Sequence, residues 1–430
     1  MILSALAITR TLAPGARKLL LAILGLGAAV RLGIAFATKG QAYDIGNLRL
    51  AGEVFTHDPL SVYRILGPQG LAGAFELVRW PYPPAYLPVA AVEYKVANLL
   101  DLPFHGVSSV VPVAADLAIA WLVQDFLGRH AQPDRLRIAA AGLVALGPSF
   151  AVISGYHGQI DSVAILPAVA AVWTWEALPV CRRAGRAGLL IGLGACVKTV
   201  PIVMLVALVP AARSRREAAT LVGTAVAVVL LAVGPYLLAD ARHFVAALRY
   251  SGAPGLGGLT MFLQPGLAEA YLTGIPTVPT AVTDWVYHQA STFVAAGLAA
   301  GGLFLLRYRP RAAEAAAVVW LIVYLANPNF FLQYVVWGLP FFLMAGWLVE
   351  VAALQAVLLP VALLTYATPW GPDAVAPVYI VLMTAVWVAW VVLLVRTART
   401  IARRGIGTAA LAPQPVPSDS GRASSERRRR

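Results

Sequence analysis

A carboxylate just past an apolar run long enough to span a membrane is well placed to take a proton. Asp44 holds that position, in Gln41-Ala42-Tyr43-Asp44-Ile45-Gly46-Asn47. Partial desolvation at a bilayer edge raises the basicity of a carboxylate, which suits a general base, and Tyr43 beside it suits a hydroxylated ligand. The same Asp would also serve as the cap of the helix expected to follow, and the two roles are compatible. A second polar group is Gly155-Tyr156-His157-Gly158-Gln159-Ile160-Asp161-Ser162. There His157 can donate or carry a proton, while Gln159 and Asp161 can hydrogen-bond a sugar or a phosphate. The plainer alternative is a polar turn in which Asp161 or Ser162 caps the next helix. Lys198, in Val197-Lys198-Thr199-Val200-Pro201, lies between two short apolar runs. A lone Lys at membrane depth is costly, so it marks a function or an anionic partner unless it snorkels to the headgroups.

Further polar and aromatic residues accompany these. Arg49, Arg64 and Arg79 bring positive charge to the segment after Asp44. Arg79-Trp80-Pro81-Tyr82-Pro83-Pro84 is a stiff aromatic turn of the kind that anchors at interfaces, and it contains Tyr82. Gln333 lies in Asn327-Pro328-Asn329-Phe330-Phe331-Leu332-Gln333-Tyr334, shortly before Trp337-Gly338-Leu339-Pro340. No metal-ligand spacing and no Walker loop can be read from the chain, so no metal and no cofactor are expected, and an ATP-driven pump is disfavoured.

The elements that must position these residues follow from composition. With 60% apolar and 12% charged residues and a mean hydropathy of +0.75, the chain is expected to be an all-α, polytopic transmembrane protein. Apolar runs fall near 18–37, 107–127, 137–153, 162–178, 187–197, 200–212, 218–238, 289–306, 312–326, 333–349, 352–367 and 376–396. That gives about 12 spans, roughly 10 to 13. Runs 187–197 and 200–212 are short for a crossing and suit a half-embedded pair around Lys198. The formal charge of +13 sits in short basic clusters between spans, the distribution expected of cytoplasmic loops rather than of a nucleic-acid binder. All these clusters share one side if residues 85–100, with Glu93 and Lys95, form an interfacial helix instead of a crossing. Both termini are then cytoplasmic, and Asp44, His157 and Lys198 share the opposite face.

Two long outer loops result, 38–106 and 239–288, the first with an amphipathic helix marked by Leu48, Ala51, Val54 and Phe55. Residues 1–405 read as one membrane domain and 406–430 as a disordered basic cytoplasmic tail. Cys181 and Cys196 fall on opposite sides, so no disulfide joins them. Arg31 and Asp116 lie within spans, where they can pair or support the outer site.

The order of these motifs resembles the GT-C glycosyltransferases: an Asp in the first outer loop, Trp80-Pro81-Tyr82-Pro83-Pro84, His157-Gly158-Gln159-Ile160-Asp161, Lys198 with Pro201, then Gln333-Tyr334 and Trp337-Gly338-Leu339-Pro340. It is similar to the polyprenyl-phosphate-mannose-dependent bacterial mannosyltransferases and to the dolichyl-phosphate-glucose-dependent glucosyltransferases. The resemblance implies an inverting hexosyltransferase, mannose being the first candidate sugar. It implies a polyprenyl-phosphate donor, a lipid-linked or glycan acceptor, and chemistry at the extracytoplasmic face of the membrane. It maps the catalytic base onto Asp44. Lys198, His157 and Arg64 then become candidates for the donor phosphate, and Tyr43, Tyr82, Gln159, Asp161 and Gln333 for sugar or acceptor. Many members carry two near-adjacent acids in the first loop, whereas Asp44 stands alone until Glu53, which favours a metal-free mechanism. A transporter or flippase for lipid-linked glycans is the alternative, although no sequence repeat of the kind common in carriers is visible.

Overall fold

The first apolar run becomes helix α1 (Pro14–Ala37), started by a proline whose missing N–H costs nothing at that position. The computed structural model describes residues 12–67, 79–249, 254–273, 277–366 and 372–410. Among these the chain is helical and has no strand. The helices used below are α2 (Ala42–His57), α3 (Leu87–Leu99), α4 (Val110–Arg129), α5 (Asp134–Ala145), α6 (Asp161–Ala177), α7 (Val180–Val197), α8 (Arg215–Leu248), α9 (Ala290–Tyr308), α10 (Ala312–Ala326), α11 (Val335–Met344), α12 (Leu348–Tyr366) and α13 (Pro372–Ala410).

Seven of the described helical segments are long and apolar enough to cross a membrane. The rest of the expected spans correspond to α6, α7, the turns over Val200–Ala211, α10 and α11, which are shorter or more charged. The outside of the bundle is apolar: Leu19, Leu21 and Leu26 of α1, Leu230, Leu231 and Leu238 of α8, and Val381, Val388 and Val392 of α13 are exposed. The inside holds polar residues, with Arg31 and Asp116 both fully buried. Apolar outside and polar within is the arrangement that hydrocarbon solvent favours, and the protein is an integral membrane protein.

Two apolar cores divide the work. The larger lies among the long helices and is dense in rings, including Trp320, Tyr324, Phe341, Phe342 and Trp390. The smaller lies beneath the first loop, where Leu48 and Ala51 of α2 meet Tyr63, Trp80, Tyr86 and Leu87, together with Tyr236 and Phe244 from α8. Val54 and Phe55 pack against it, so the expected amphipathic face is the one buried. The helix expected at 85–100 is α3, 13 residues long and packed on α2.

Three expectations change. The run at 187–197 is not a half-span: α7 extends back to Val180 and takes in Arg182, Arg183 and Arg186. Arginine is a good helix former, and Arg183 is held by Glu217 at 2.6 Å and by the Trp175 ring. The loop at 239–288 is substantially helical. α8 kinks at Asp240 and continues to Leu248, and short helices follow at Gly258–Leu263, Gly266–Thr273 and Ala281–His288. Finally, α13 is helical through Ala410, and residues 411–430 of the expected tail lie outside the described residues. Cys181 and Cys196 are free thiols near the two ends of α7, about 22 Å apart along a helix of 1.5 Å rise.

Candidate active site

Gln41 caps α2, its side-chain oxygen accepting the Asp44 amide at 2.7 Å. The cap is therefore Gln41 and not Asp44, which leaves the Asp44 carboxylate free to turn inward. It meets His157, with Nε2 of the ring 2.6 Å from Oδ2 of the acid. His157 closes a π-helical stretch, Ala151–His157, that follows Pro148. Such stretches are uncommon and gather at functional sites. Gly158 then turns the chain at φ +80°, and a Cβ there would strike Ile45 Cδ1 and press on the His105 ring. Glycine is required at that point by both conformation and space.

On the far side of the imidazole, Nδ1 lies 2.9 Å from the hydroxyl of Tyr366, the last residue of α12. Nε2 of the ring faces the Asp44 carboxylate and Nδ1 faces the Tyr366 hydroxyl. Both ring nitrogens are thus engaged. Side-chain exposure also separates the pair, 25% for Asp44 against 4% for His157. The carboxylate is the member a substrate can reach.

Next to this pair stands an ion pair. Asp161 is the first residue of α6 and Lys198 follows the last residue of α7, in extended backbone. Partial charges at the two helix ends favour an acid at the first place and a cation at the second. Lys198 Nζ donates to Asp161 Oδ1 at 2.7 Å, and the Trp337 indole N–H donates to the same oxygen. The ammonium also lies 4.8 Å from the centre of the Tyr82 ring, close enough for a cation–π contact. Asp161 Oδ2 is buried and has no hydrogen-bond partner among the described residues. Neither Asp161 nor Ser162 caps α6; the Ser162 hydroxyl donates to Asp116 instead. Arg31 sits 3.8 Å from Asp116 and donates to the Val144 carbonyl at 2.5 Å, so the two charges within the spans pair and brace the site from below.

The charges of the two groups act on each other. Burial pushes the Asp44 carboxyl up, but hydrogen bonds from His157 and Gln159 and the electrostatic pull of His157 and Lys198 outweigh it. The net displacement is downward, opposite to the rise expected from desolvation alone. Asp44 is thereby held as the carboxylate at neutral pH. Tyr271 of the Gly266–Thr273 helix senses the same charge: burial first, and the Asp44 carboxylate second, push its hydroxyl up to about 12.

The residues singled out from sequence thus converge in part. Asp44, His157, Gln159, Asp161, Lys198 and Tyr82 come together. Tyr43 is on the exposed side of α2, within electrostatic reach of Arg79, and Gln333 is buried in the turn Leu332–Tyr334 that leads to Trp337. Arg64 lies apart, exposed on the short helix Val62–Leu66 with its charge acting on Asp240. Tyr366, Tyr271 and the direct role of Trp337 had no sequence signal beyond an aromatic residue in or near an apolar helix. Among the described residues no group of three or more His, Cys, Asp or Glu could hold a metal ion.

Residues 80–332, more than half of the chain, match the family model of glycosyltransferase family 87. The chain belongs to that family. The matched stretch of this glycosyltransferase holds Tyr82, His157, Asp161 and Lys198, while Asp44, Trp337 and Tyr366 are brought to it from outside. Family membership also decides for the transferase over the carrier expected as its alternative. No curated protein matches the chain. Among solved structures, ArnT from Cupriavidus metallidurans bound to undecaprenyl phosphate is similar at 13% identity and a TM-score of 0.48, over 93% of this chain and 79% of that one. ArnT in the apo state gives 14% and 0.45, over 90% and 77%.

Proposed function

We propose that this glycosyltransferase moves a hexose, with mannose the first candidate, from a polyprenyl-phosphate donor to a lipid-linked or glycan acceptor, with inversion, at the extracytoplasmic face. The observation that carries the reading is the adjacency of two differently charged pairs, Asp44 with His157 and Lys198 with Asp161. In the reaction, Asp44 takes the proton of the acceptor hydroxyl as that oxygen attacks the anomeric carbon. The bond from that carbon to the lipid phosphate breaks, and its electrons leave with the phosphate. His157, fixed by Tyr366, orients the carboxylate. Lys198 faces the negative charge that grows on the departing phosphate, where a preorganised cation lowers the barrier most. Tyr82 and Gln159 orient the sugar, and Asp161 Oδ2, buried without a partner among the described residues, is suited to accept from a sugar hydroxyl. The sidedness follows from the basic loops, and the donor class from the resemblance of the motifs. The base acts without a metal, as the lack of a second acid between Asp44 and Glu53 suggests.

The test is transfer of labelled sugar from synthetic polyprenyl-phosphate hexoses to membrane acceptors, comparing the native chain with Asp44→Asn and adding a chelator arm. Undiminished transfer by Asp44→Asn removes the base assignment. Absence of transfer from every lipid-phosphate donor removes the donor class, and loss with chelator removes the metal-free step.

A further inference from the structure

The end of the bundle remote from Asp44 has a cavity of its own, of about 380 Å³, lined by Trp175, Glu176, Arg183, Arg213, Arg309 and Arg311 among others. Asp161 begins α6 at the active site and Trp175 lies near the other end of the same helix, about 21 Å away along its axis. The walls come from three connections, between α6 and α7, before α8, and between α9 and α10.

The acids at this end are already committed. Glu217 accepts from Arg183 Nε at 2.6 Å through one oxygen and from the Arg213 amide at 2.7 Å through the other. Glu176 takes His130 at 2.7 Å and the Ala313 amide at 3.3 Å. Glu314 is shared by Arg311 at 3.2 Å and Arg404 at 2.7 Å. Arg183, Arg213, Arg309, Arg311 and Arg404 therefore face three acids, and positive charge is in excess. Arg183 is nine-tenths buried and stacked on Trp175 at 4.4 Å, yet its Nη2 is enclosed with no hydrogen-bond partner among the described residues. Arg309 is held at φ +46°, a conformation unusual for a side-chain-bearing residue, at the rim of the same cavity.

We propose that this cavity binds a phosphate group, supplied by the headgroup of an anionic phospholipid at the basic face of the protein. Guanidinium forks match phosphate oxygens, and a buried Nη2 lacking a protein acceptor is satisfied by such an anion. Basic pockets between membrane helices are suited to anionic headgroups. The ligand ties the connections of α6–α7 and α9–α10 together at the end opposite the chemistry, so its effect is on stability rather than on the reacting atoms.

The experiment uses the purified full chain in neutral detergent and reads Tm against dioctanoyl-phosphatidylglycerol, dioctanoyl-phosphatidylcholine and inorganic phosphate. The expected result is a saturable rise of several degrees with phosphatidylglycerol and none with phosphatidylcholine. The half-saturating concentration should increase at least tenfold in Arg213→Gln/Arg309→Gly and in Arg183→Lys, which keeps the charge toward Glu217 but lacks Nη2. A saturable rise with inorganic phosphate alone, lost in the same variants, supports the site and assigns the source to soluble phosphate. Lys198→Gln should retain the phosphatidylglycerol response. A response lost in Lys198→Gln and kept in the arginine variants places the lipid at the Asp44 end and overturns the proposal, as does the absence of any saturable response.

Discussion

His157 reaches Asp44 at 2.6 Å across 113 positions of sequence, with Nε2 facing the acid and the other ring nitrogen given to Tyr366. The imidazole has no nitrogen left for a substrate, and so it works through the carboxylate it holds. Asp44 is the exposed end of a three-residue chain, and the roles along that chain separate experimentally.

Asp44→Asn keeps the shape and removes the proposed base. Steady-state transfer should fall by about 10² to 10⁴, the usual worth of a positioned general base. Donor affinity, measured by competition with a non-transferable lipid phosphate, should stay within a few-fold of native.

Tyr366→Phe deletes one hydroxyl and nothing else. One hydrogen bond is worth about 1 kcal/mol, so kcat should drop roughly fivefold to tenfold while KM holds. A rise in KM with unchanged kcat would place Tyr366 on the substrate instead of on His157.

Lys198→Gln leaves the buried Asp161 facing a neutral partner. Breaking a buried pair in this way costs about 3 to 5 kcal/mol. Adding Asp161→Asn should restore much of the lost Tm without restoring transfer, since the cation proposed to face the phosphate is still missing. A double-mutant cycle in Tm and activity separates the two effects.

The pH response has two parts. The Asp44 carboxyl is held below its ordinary 3.8, so its contribution to stability is complete above that value and fades as pH falls through the lower folded value. The acid limb of kcat/KM should therefore lie below pH 3.8 if Asp44 alone sets it. Glu93 behaves oppositely. Burial pushes it from 4.5 up to about 8 despite a hydrogen bond from Tyr86. Between those values the folded protein keeps a proton that the unfolded chain has released, so stability declines as pH rises from about 4.5 to about 8. The shift corresponds to roughly 3 to 5 kcal/mol, and Glu93→Gln should flatten Tm against pH across that window.

Much of this was legible in the sequence because membrane protein sequences are read through the cost of polar groups in hydrocarbon. Asp44, His157, Asp161 and Lys198 stand out against apolar runs, and the structure gathers all four. Tyr366 did not stand out, since an aromatic ring in an apolar helix looks the same whether its polar atom faces a buried histidine or a lipid headgroup. Arg64 drew attention by charge, but the kink of α8 at Asp240 supplies it with a nearby acid away from the site. The helices within 239–288 escape a sequence reading because each is short and their polar caps, such as Thr280 before Ala281–His288, resemble loop composition.

The π-helical turn before Gly158 has a consequence for how this site tolerates change. A π turn holds about one residue more than an α turn, so a chain shortened by one residue between Ala151 and His157 can close the same turn as α-helix with every side chain of the site still present. This stretch therefore has slack in chain length that the α-helices around it lack. A variant shortened by one residue there should fold with α4, α5 and α6 intact and keep His157 beside Asp44.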